Sequence, residues 1–364
     1  MSGDDVRHMR HALRLAARAL GSVAPNPAVG CVLVSPGGAI VGRGWTGEGG
    51  RPHAETEALA QAGDAARGAT AYVTLEPCAH HGRTPPCAEA LVAAKVARVV
   101  AAIEDPDPRV SGQGLARLRA AGIAVTTDVL CEDAAEMNAG FFLRLREQRP
   151  LVTLKIAASL DGRTTSAAGD SRWITGEQAR RFGHLLRAQH DAILVGIETA
   201  LADDPLLDCR LPGLEKRSPL RVVLDTRLRL GVASKLARTA RQHPTLLFTS
   251  SEGGDGLAEC GVEIIPVQRD ARGRPEIAAM LRTLAARGIT RLLVEGGAGV
   301  HAGFLDRGYA DRIELFRAPL MLGDGGHPAI DALAALGLSE APRFASTGVR
   351  RLGGDLLESF IARA

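Results

Sequence analysis

Over residues 4–20 the apolar side chains Val6, Met9, Leu13, Ala16, Ala17 and Leu20 share one face at helical spacing, charges fall elsewhere, and Gly21 and Pro25 end the run. Residues 28–34 form a short apolar stretch that predicts a buried strand, and Gly37-Gly38 turns the chain into a second strand over 39–46. Helical patterns over 54–65, 87–95, 112–121 and 132–146 then alternate with strands over 69–75, 97–103 and 123–127, which predicts a layered α/β domain. A charged run over 144–149 and the helix-stopping Pro150 precede an apolar strand over 151–157, where a new alternation begins. It predicts strands over 191–196, 220–225, 244–249, 262–267, 290–295 and 311–317, with helices over 176–189, 198–202, 275–287 and 299–307. The polar, glycine-rich segments 250–256 and 268–275 read as surface loops. Two α/β domains are expected, over 1–147 and 150–364, with no internal repeat.

A length of 364 residues with 46% hydrophobic content suits two cores better than one. The net charge of +3 arises from 44 basic and 41 acidic residues spread along the chain, so no basic tract argues for a nucleic-acid partner. Six cysteines are too sparse for a disulfide scaffold, and residues 1–20 carry Asp4, Asp5 and scattered Arg where a signal core would be apolar. Even the apolar run 96–103 is broken by Arg98 and stopped by Glu104 and Pro106, so no membrane span is expected and a cytoplasmic location is.

The chemistry is concentrated in His53-Ala54-Glu55, Pro77-Cys78 and, nine positions after Cys78, Pro86-Cys87. One imidazole and two thiolates make three protein ligands and leave a fourth tetrahedral position for water, the arrangement of a catalytic zinc. His53, Cys78 and Cys87 are therefore the expected metal ligands. Glu55 lies two residues past His53 near a predicted helix start, where it can reach that water without binding zinc and carry its proton to a departing amine. It is the expected general acid/base. Cys87 stands at another helix start, whose positive end favours a thiolate there. The competing reading is a closed structural site, for which His80 or His81 has the right chemistry to be the fourth ligand.

Nucleoside and nucleic-acid deaminases usually separate the two cysteines by two residues, whereas eight separate them here. With that insertion, Asn26-Pro-Ala-Val-Gly30, Glu76-Pro-Cys-Ala-His-His-Gly-Arg-Thr-Pro-Pro-Cys87 and Glu104-Asp-Pro-Asp-Pro108 resemble the deaminase half of the bifunctional riboflavin-biosynthesis deaminase/reductase family, over nearly all of residues 1–146. The resemblance implies a cytidine-deaminase-like α/β/α domain that hydrolytically removes the 2-amino group of 2,5-diamino-6-ribosylaminopyrimidinone 5'-phosphate. It also implies that Asn26 contacts the pyrimidine and that Arg83 meets the phosphate, which a guanidinium grips with paired hydrogen bonds. The chain departs from the family at Thr46, where histidine is frequent, and at Ala79, where serine is.

Leu154-Lys-Ile-Ala-Ala-Ser-Leu-Asp-Gly162, Gly169-Asp-Ser-Arg-Trp-Ile-Thr175, Arg187-Ala-Gln, the run 196–205, Leu224-Asp-Thr-Arg227 and Val294-Glu-Gly-Gly-Ala-Gly299 resemble the second half of the same family. That half has a dihydrofolate-reductase-like α/β fold, and the resemblance implies NADPH-dependent reduction of the deaminated product's ribose to a ribityl chain. Carried over by position, Ala157, Trp173, Thr199, Asp203, Thr226, Gly297, Ala298, Gly299, Val300, His301, Ala302 and Gly303 should meet the cofactor. Ser171, Arg187, Leu207, Arg210 and Glu295 should meet substrate, with Arg187 and Arg210 as phosphate clamps, and Arg227 is suited to the cofactor's 2'-phosphate. The glycine-rich turn after 290–295 lets backbone amides approach a diphosphate, although it sits too late in its domain for a Rossmann fingerprint. Lys155 and Asp161 are left between structural and proton-moving roles. The expected cofactors are Zn²⁺ and NADPH, and the expected partner is the phosphorylated ribosylaminopyrimidine substrate, with neither nucleic acid nor membrane; whether the chain forms a homo-oligomer is open.

Overall fold

The computed structural model describes residues 3–79, 85–107, 111–167, 174–334 and 337–363. The chain divides into two compact units, Met1–Glu147 and Gln148–Ala364. The first runs through α1 (Gly3–Ala16), β1 (Gly30–Val34), β2 (Ile40–Trp45), α2 (Ala54–Ala62), β3 (Thr70–Val73), α3 (Cys87–Ala93), β4 (Arg98–Ala101), α4 (Gln113–Ala120), β5 (Ala124–Thr126), α5 (Cys131–Met137) and α6 (Ala139–Glu147). Its sheet has the order β2-β1-β3-β4-β5, with β1 antiparallel to both neighbours and β3, β4 and β5 parallel.

Successive strand side chains point to opposite faces, and both faces are covered. Cys31, Leu33, Ala71, Val73 and Val99 pack with Ala54 and Ala58 of α2, Leu91 of α3 and Leu118 of α4. Val32, Tyr72 and Val100 pack against Met9, Ala12 and Leu13 of α1. Full burial of a side chain such as Leu91 or Leu118 stabilises the unit by roughly 1.5–3 kcal/mol. Gly44 of β2 has no room for a side chain, since a Cβ there would stand 2.1 Å from the Ala54 carbonyl oxygen. That absence lets the first turn of α2 lie on the strand and sets the position of His53 and Glu55. The helix expected over 132–146 is broken into α5 and α6 at Asn138, whose buried amide accepts from Ala28 N at 2.9 Å and donates to Ala28 O at 3.1 Å. A long-range hydrogen-bond pair thus overrides a continuous helical pattern.

The second unit comprises β6 (Leu151–Ala158), α7 (Glu177–Ala188), β7 (Ala192–Gly196), α8 (Ile197–Asp203), β8 (Leu220–Leu224), α9 (Lys235–Arg238), β9 (Thr245–Thr249), α10 (Asp255–Glu259), β10 (Val262–Pro266), α11 (Ile277–Ala286), β11 (Arg291–Gly296), α12 (Ala298–Asp306), β12 (Arg312–Arg317), β13 (Phe344–Leu352) and β14 (Asp355–Ala362). The sheet order is β10-β9-β8-β7-β11-β6-β12-β14-β13, parallel from β10 to β12 and antiparallel beyond. The expected loop 250–256 runs into α10, and the β13–β14 hairpin has no counterpart among the sequence-predicted strands. One face is covered by α11 and α12 through Met280, Leu281, Leu284 and Phe304, the other by α7 to α10 through Leu186, Ile197, Leu236 and Leu257. Among the described residues no helix is long and apolar enough to cross a membrane.

His190, just past α7, is 2% exposed; its Nδ1 lies 2.7 Å from the Leu186 carbonyl oxygen and its Nε2 3.0 Å from Thr153 Oγ1. The carbonyl can only accept, so Nδ1 carries the proton and Nε2 accepts from the hydroxyl. Burial, aided by the charge of Arg291, lowers its pKa to about 3 from an ordinary 6.5. Between those two pH values the unfolded chain binds a proton that the folded chain refuses, so stability falls as pH falls from 6.5 toward 3. The loss reaches about 2 kcal/mol at pH ~5. Urea unfolding followed by reductase activity should show this decline, and His190→Gln should flatten it; equal pH slopes for the two proteins would refute the assignment.

Candidate active sites

Three segments of the first unit converge at one point. His53 is the residue preceding α2, Cys78 follows β3, and Cys87 opens α3. His53 Nδ1 lies 3.2 Å from Cys87 Sγ and 3.6 Å from Cys78 Sγ, and all three ligand atoms fall within 4.8 Å of one another. Tetrahedral zinc with Zn–S near 2.3 Å and Zn–N near 2.0–2.1 Å requires ligand atoms roughly 3.5–4 Å apart, so the donor set fits the ion in kind and spacing. Glu55, in the first turn of α2, is 3% exposed. Burial, reinforced by the negative charge of Cys78, raises its carboxyl to about 7.

The start of α3 serves both sulfurs: Cys87 opens the helix, and its backbone N–H donates to Cys78 Sγ, 3.3 Å away. A hydrogen bond from the Cys87 thiol, joined by those from His53 and the Cys87 backbone, overcomes burial and lowers Cys78 to about 4. The shared proton and burial push Cys87 up. His53 is raised, chiefly through its hydrogen bond with Cys78.

Asn26 Nδ2 donates to the carbonyls of Val23 and Gly49, at 3.2 and 3.3 Å, which ties it to the loop leading into His53. Thr46 joins strand ends within the fold, its Oγ1 accepting from Val29 N at 2.9 Å and donating to Pro27 O at 3.2 Å. Arg83, Ser171 and Trp173, with His80 and His81, lie outside the described residues.

In the second unit most of the described residues expected to meet the cofactor lie at or beyond the carboxyl ends of parallel strands. Adjacent strands β7 and β11 continue into α8 and α12, which cover opposite faces of the sheet, and such a divergence opens a crevice at the strand ends. Gly296 and Gly297 turn there with φ of 143° and 83°, values that disfavour side chains, and a Cβ on Gly297 would lie 3.2 Å from Thr199 Oγ1. A bare backbone turn leading into the nine-residue α12 fits a diphosphate. Ala157 stands near the end of β6, Asp203 at the end of α8 and Thr226 just past β8. Ala298, Gly299 and Val300 form the first turn of α12; His301, Ala302 and Gly303 are buried, and His301 Nδ1 donates to Ala329 O at 3.1 Å. Those last three are oriented by the core.

Arg187 Nε and Nη2 each lie 2.7 Å from an oxygen of Glu295, and Nη1 donates to Asp208 O at 3.0 Å. Burial opposes the Glu295 charge, but the fork of Arg187 outweighs it and holds the carboxyl at about 2, with Lys155 contributing. Arg187 is therefore occupied by a carboxylate, with further N–H donors left over. Arg210 packs at 3.3 Å from His184 Nε2, and Leu207 is buried at a positive φ of 56°. His184 was not singled out from the sequence; it lies one turn before Arg187 on α7, a spacing that would have identified it, and burial with two neighbouring arginines lowers its pKa. Asp161 accepts from Ser159 Oγ, Leu322 N and Gly323 N, which assigns it to holding two loops together. A cavity of about 390 Å³ opens elsewhere, among Thr153, Leu186, Arg291, Arg312, Glu314 and Arg350, and includes none of the expected cofactor or substrate residues.

Two families match the chain in tandem: the cytidine and deoxycytidylate deaminase zinc-binding region over residues 2–103, and the RibD C-terminal domain over 150–357. The riboflavin biosynthesis protein RibD of Aquifex aeolicus is 40% identical over 98% of this chain and 98% of its own, and that of Escherichia coli is 40% identical over 97% and 98%. The structure of Acinetobacter baumannii RibD covers 99% of both chains with a TM-score of 0.88 at 39% identity. A Thermotoga maritima structure, described as a diaminohydroxyphosphoribosylaminopyrimidine deaminase/5-amino-6-(5-phosphoribosylamino)uracil reductase, covers 99% of both with a TM-score of 0.87 at 34% identity. The chain belongs to the RibD family, bifunctional enzymes of riboflavin biosynthesis that join a zinc-binding deaminase domain to an NADPH-dependent reductase domain.

Proposed function

We propose that residues 1–147 deaminate 2,5-diamino-6-ribosylaminopyrimidinone 5'-phosphate and that residues 150–364 then reduce the ribose of 5-amino-6-(5-phosphoribosylamino)uracil. The observation that carries this reading is the meeting of His53, Cys78 and Cys87 beside a buried carboxyl, in a chain that also holds the glycine turn at the reductase crevice. His53 Nδ1 and the sulfurs of Cys78 and Cys87 hold the metal. Bound zinc supplies a Lewis acid that makes water nucleophilic near neutral pH. Glu55 takes a proton from the attacking water and delivers it to the departing amino group; a carboxyl poised near 7 exchanges protons in both directions at physiological pH. Asn26 orients the pyrimidine and Arg83 grips the phosphate.

In the reductase, Gly297 to Gly303 with Ala157, Trp173, Thr199, Asp203 and Thr226 hold NADPH, which supplies the hydride. Arg187, Arg210, Ser171, Leu207 and Glu295 place the phosphorylated substrate, and catalysis rests on that orientation. The expected setting is the cytoplasm, with no nucleic-acid or membrane partner. Ammonia release and NADPH absorbance followed in one mixture test the proposal. The untreated protein should release ammonia without NADPH and consume NADPH once ammonia has formed. Removing zinc with a chelator should stop ammonia release and spare NADPH oxidation on the deaminated substrate; ammonia release that survives complete zinc removal would sink the assignment.

A further inference from the structure

Behind the Cys78 arm lies a carboxylate that touches neither the metal ligands' donor atoms nor the acid/base. Glu76 is 4% exposed, and its side chain accepts four backbone N–H groups: Oε1 from Gly114 at 2.8 Å and Leu115 at 3.2 Å, Oε2 from Gly112 at 2.9 Å and Asp105 at 3.2 Å. Three of these N–H groups belong to the start of α4, where a helix has no carbonyl partners of its own and favours negative charge. Pro77, between Glu76 and Cys78, lies flush on the same turn: a Cβ on Gly114 would stand 1.9 Å from the Pro77 carbonyl oxygen. One turn along α4, Arg117 donates to Ala79 O at 3.4 Å, just past Cys78, and pairs with Glu89 of α3, the helix that begins at Cys87. Helix α4 thus reaches both sides of Cys78 and the element carrying Cys87.

We infer that Glu76 is a positioning residue for the metal site, clamping Cys78 onto α4 at the separation from Cys87 and His53 that zinc needs, with Arg117 steadying the second arm. The inference rests on His53, Cys78 and Cys87 being the ligands. Glu76→Gln replaces one acceptor oxygen by an NH₂ that faces backbone donors, so part of the clamp becomes repulsive.

In chelator competition with the full chain, Glu76→Gln should bind zinc about 10- to 100-fold more weakly than wild type, the usual cost of removing an outer support of a metal ligand. The rise in the Tm of the deaminase unit on adding zinc should shrink, and reductase activity of the same chain should stay at the wild-type rate. A lower Tm with an undiminished zinc-dependent rise would make Glu76 merely structural and overturn the inference. If metal-free Glu76→Gln does not fold, Arg117→Met decides, because Arg117 is 42% exposed and replaceable. It should weaken zinc binding by about a few-fold relative to wild type in a folded protein; unchanged affinity would refute the role of α4. Cys78→Ala separates the two levels of the argument. If it keeps wild-type zinc affinity the ligand assignment itself fails, whereas zinc loss in Cys78→Ala with wild-type affinity in Glu76→Gln overturns only the positioning role.

Discussion

A Glu55→Gln protein that retains its zinc should release ammonia about 10²- to 10⁴-fold more slowly than wild type, the range over which a positioned general acid/base acts. The amide keeps the volume of the carboxyl and can remain in the 3%-exposed niche at the start of α2, so the fold and the metal triad persist. What disappears is a group able to take a proton from water and return it to nitrogen. Burial and the Cys78 charge are what bring the carboxyl to about 7, close enough to neutrality for both transfers. Zinc content measured alongside ammonia release distinguishes loss of chemistry from loss of metal. Undiminished release by zinc-loaded Glu55→Gln would remove Glu55 from the mechanism.

In the reductase the largest expected effect is on Arg187→Met. The change removes a guanidinium with a side chain 15% exposed and leaves the Glu295 carboxylate, 8% exposed, without its paired fork. Stranding one member of a buried pair costs about 3–5 kcal/mol, whereas replacing both members by groups of similar shape costs much less. Urea unfolding should therefore show Arg187→Met strongly destabilised and the double variant Arg187→Met/Glu295→Gln largely recovered. Reductase activity should stay low in the double variant, since both groups are proposed to place substrate. The pair also has a pH signature: Glu295 is depressed to about 2 against an ordinary 4.5, so its contribution is complete above pH 4.5 and is lost as pH falls toward 2. An Arg187→Met protein as stable as wild type would contradict this account of the pair.

Much of this is legible in the sequence because the relevant information is local. His53 and Glu55 are two residues apart on one helix start, and the two cysteines flank a single short insertion, so residue type and spacing pointed to these three donors. The parallel strands of the second unit are apolar runs buried on both faces, and such runs are readable one at a time. What escaped depends on distant partners. Asn138 splits a helix because Ala28, 110 positions away, needs both its backbone groups satisfied. Glu76 looked like part of a motif, yet its role lies in N–H groups as many as 39 residues further on. That the Cys87 N–H reaches Cys78 Sγ depends on how the start of α3 is aimed, which spacing does not specify. The β13–β14 hairpin is different, for Gly353-Gly354 between Leu352 and Asp355 is a tight-turn signal in plain view. Its exposed first strand, rich in Arg and polar residues, hid the alternation that would have drawn attention to it.

The central physical claim is a zinc ion held by one nitrogen and two sulfurs with a position left for water. Zinc X-ray absorption on the full-length protein tests it most directly. The expected spectrum has two sulfur neighbours near ~2.3 Å and two lighter N/O neighbours near ~2.0–2.1 Å, reduced to one sulfur in Cys78→Ala if any zinc remains. Four protein donors closing the shell, or a sulfur count unchanged by Cys78→Ala, would contradict it.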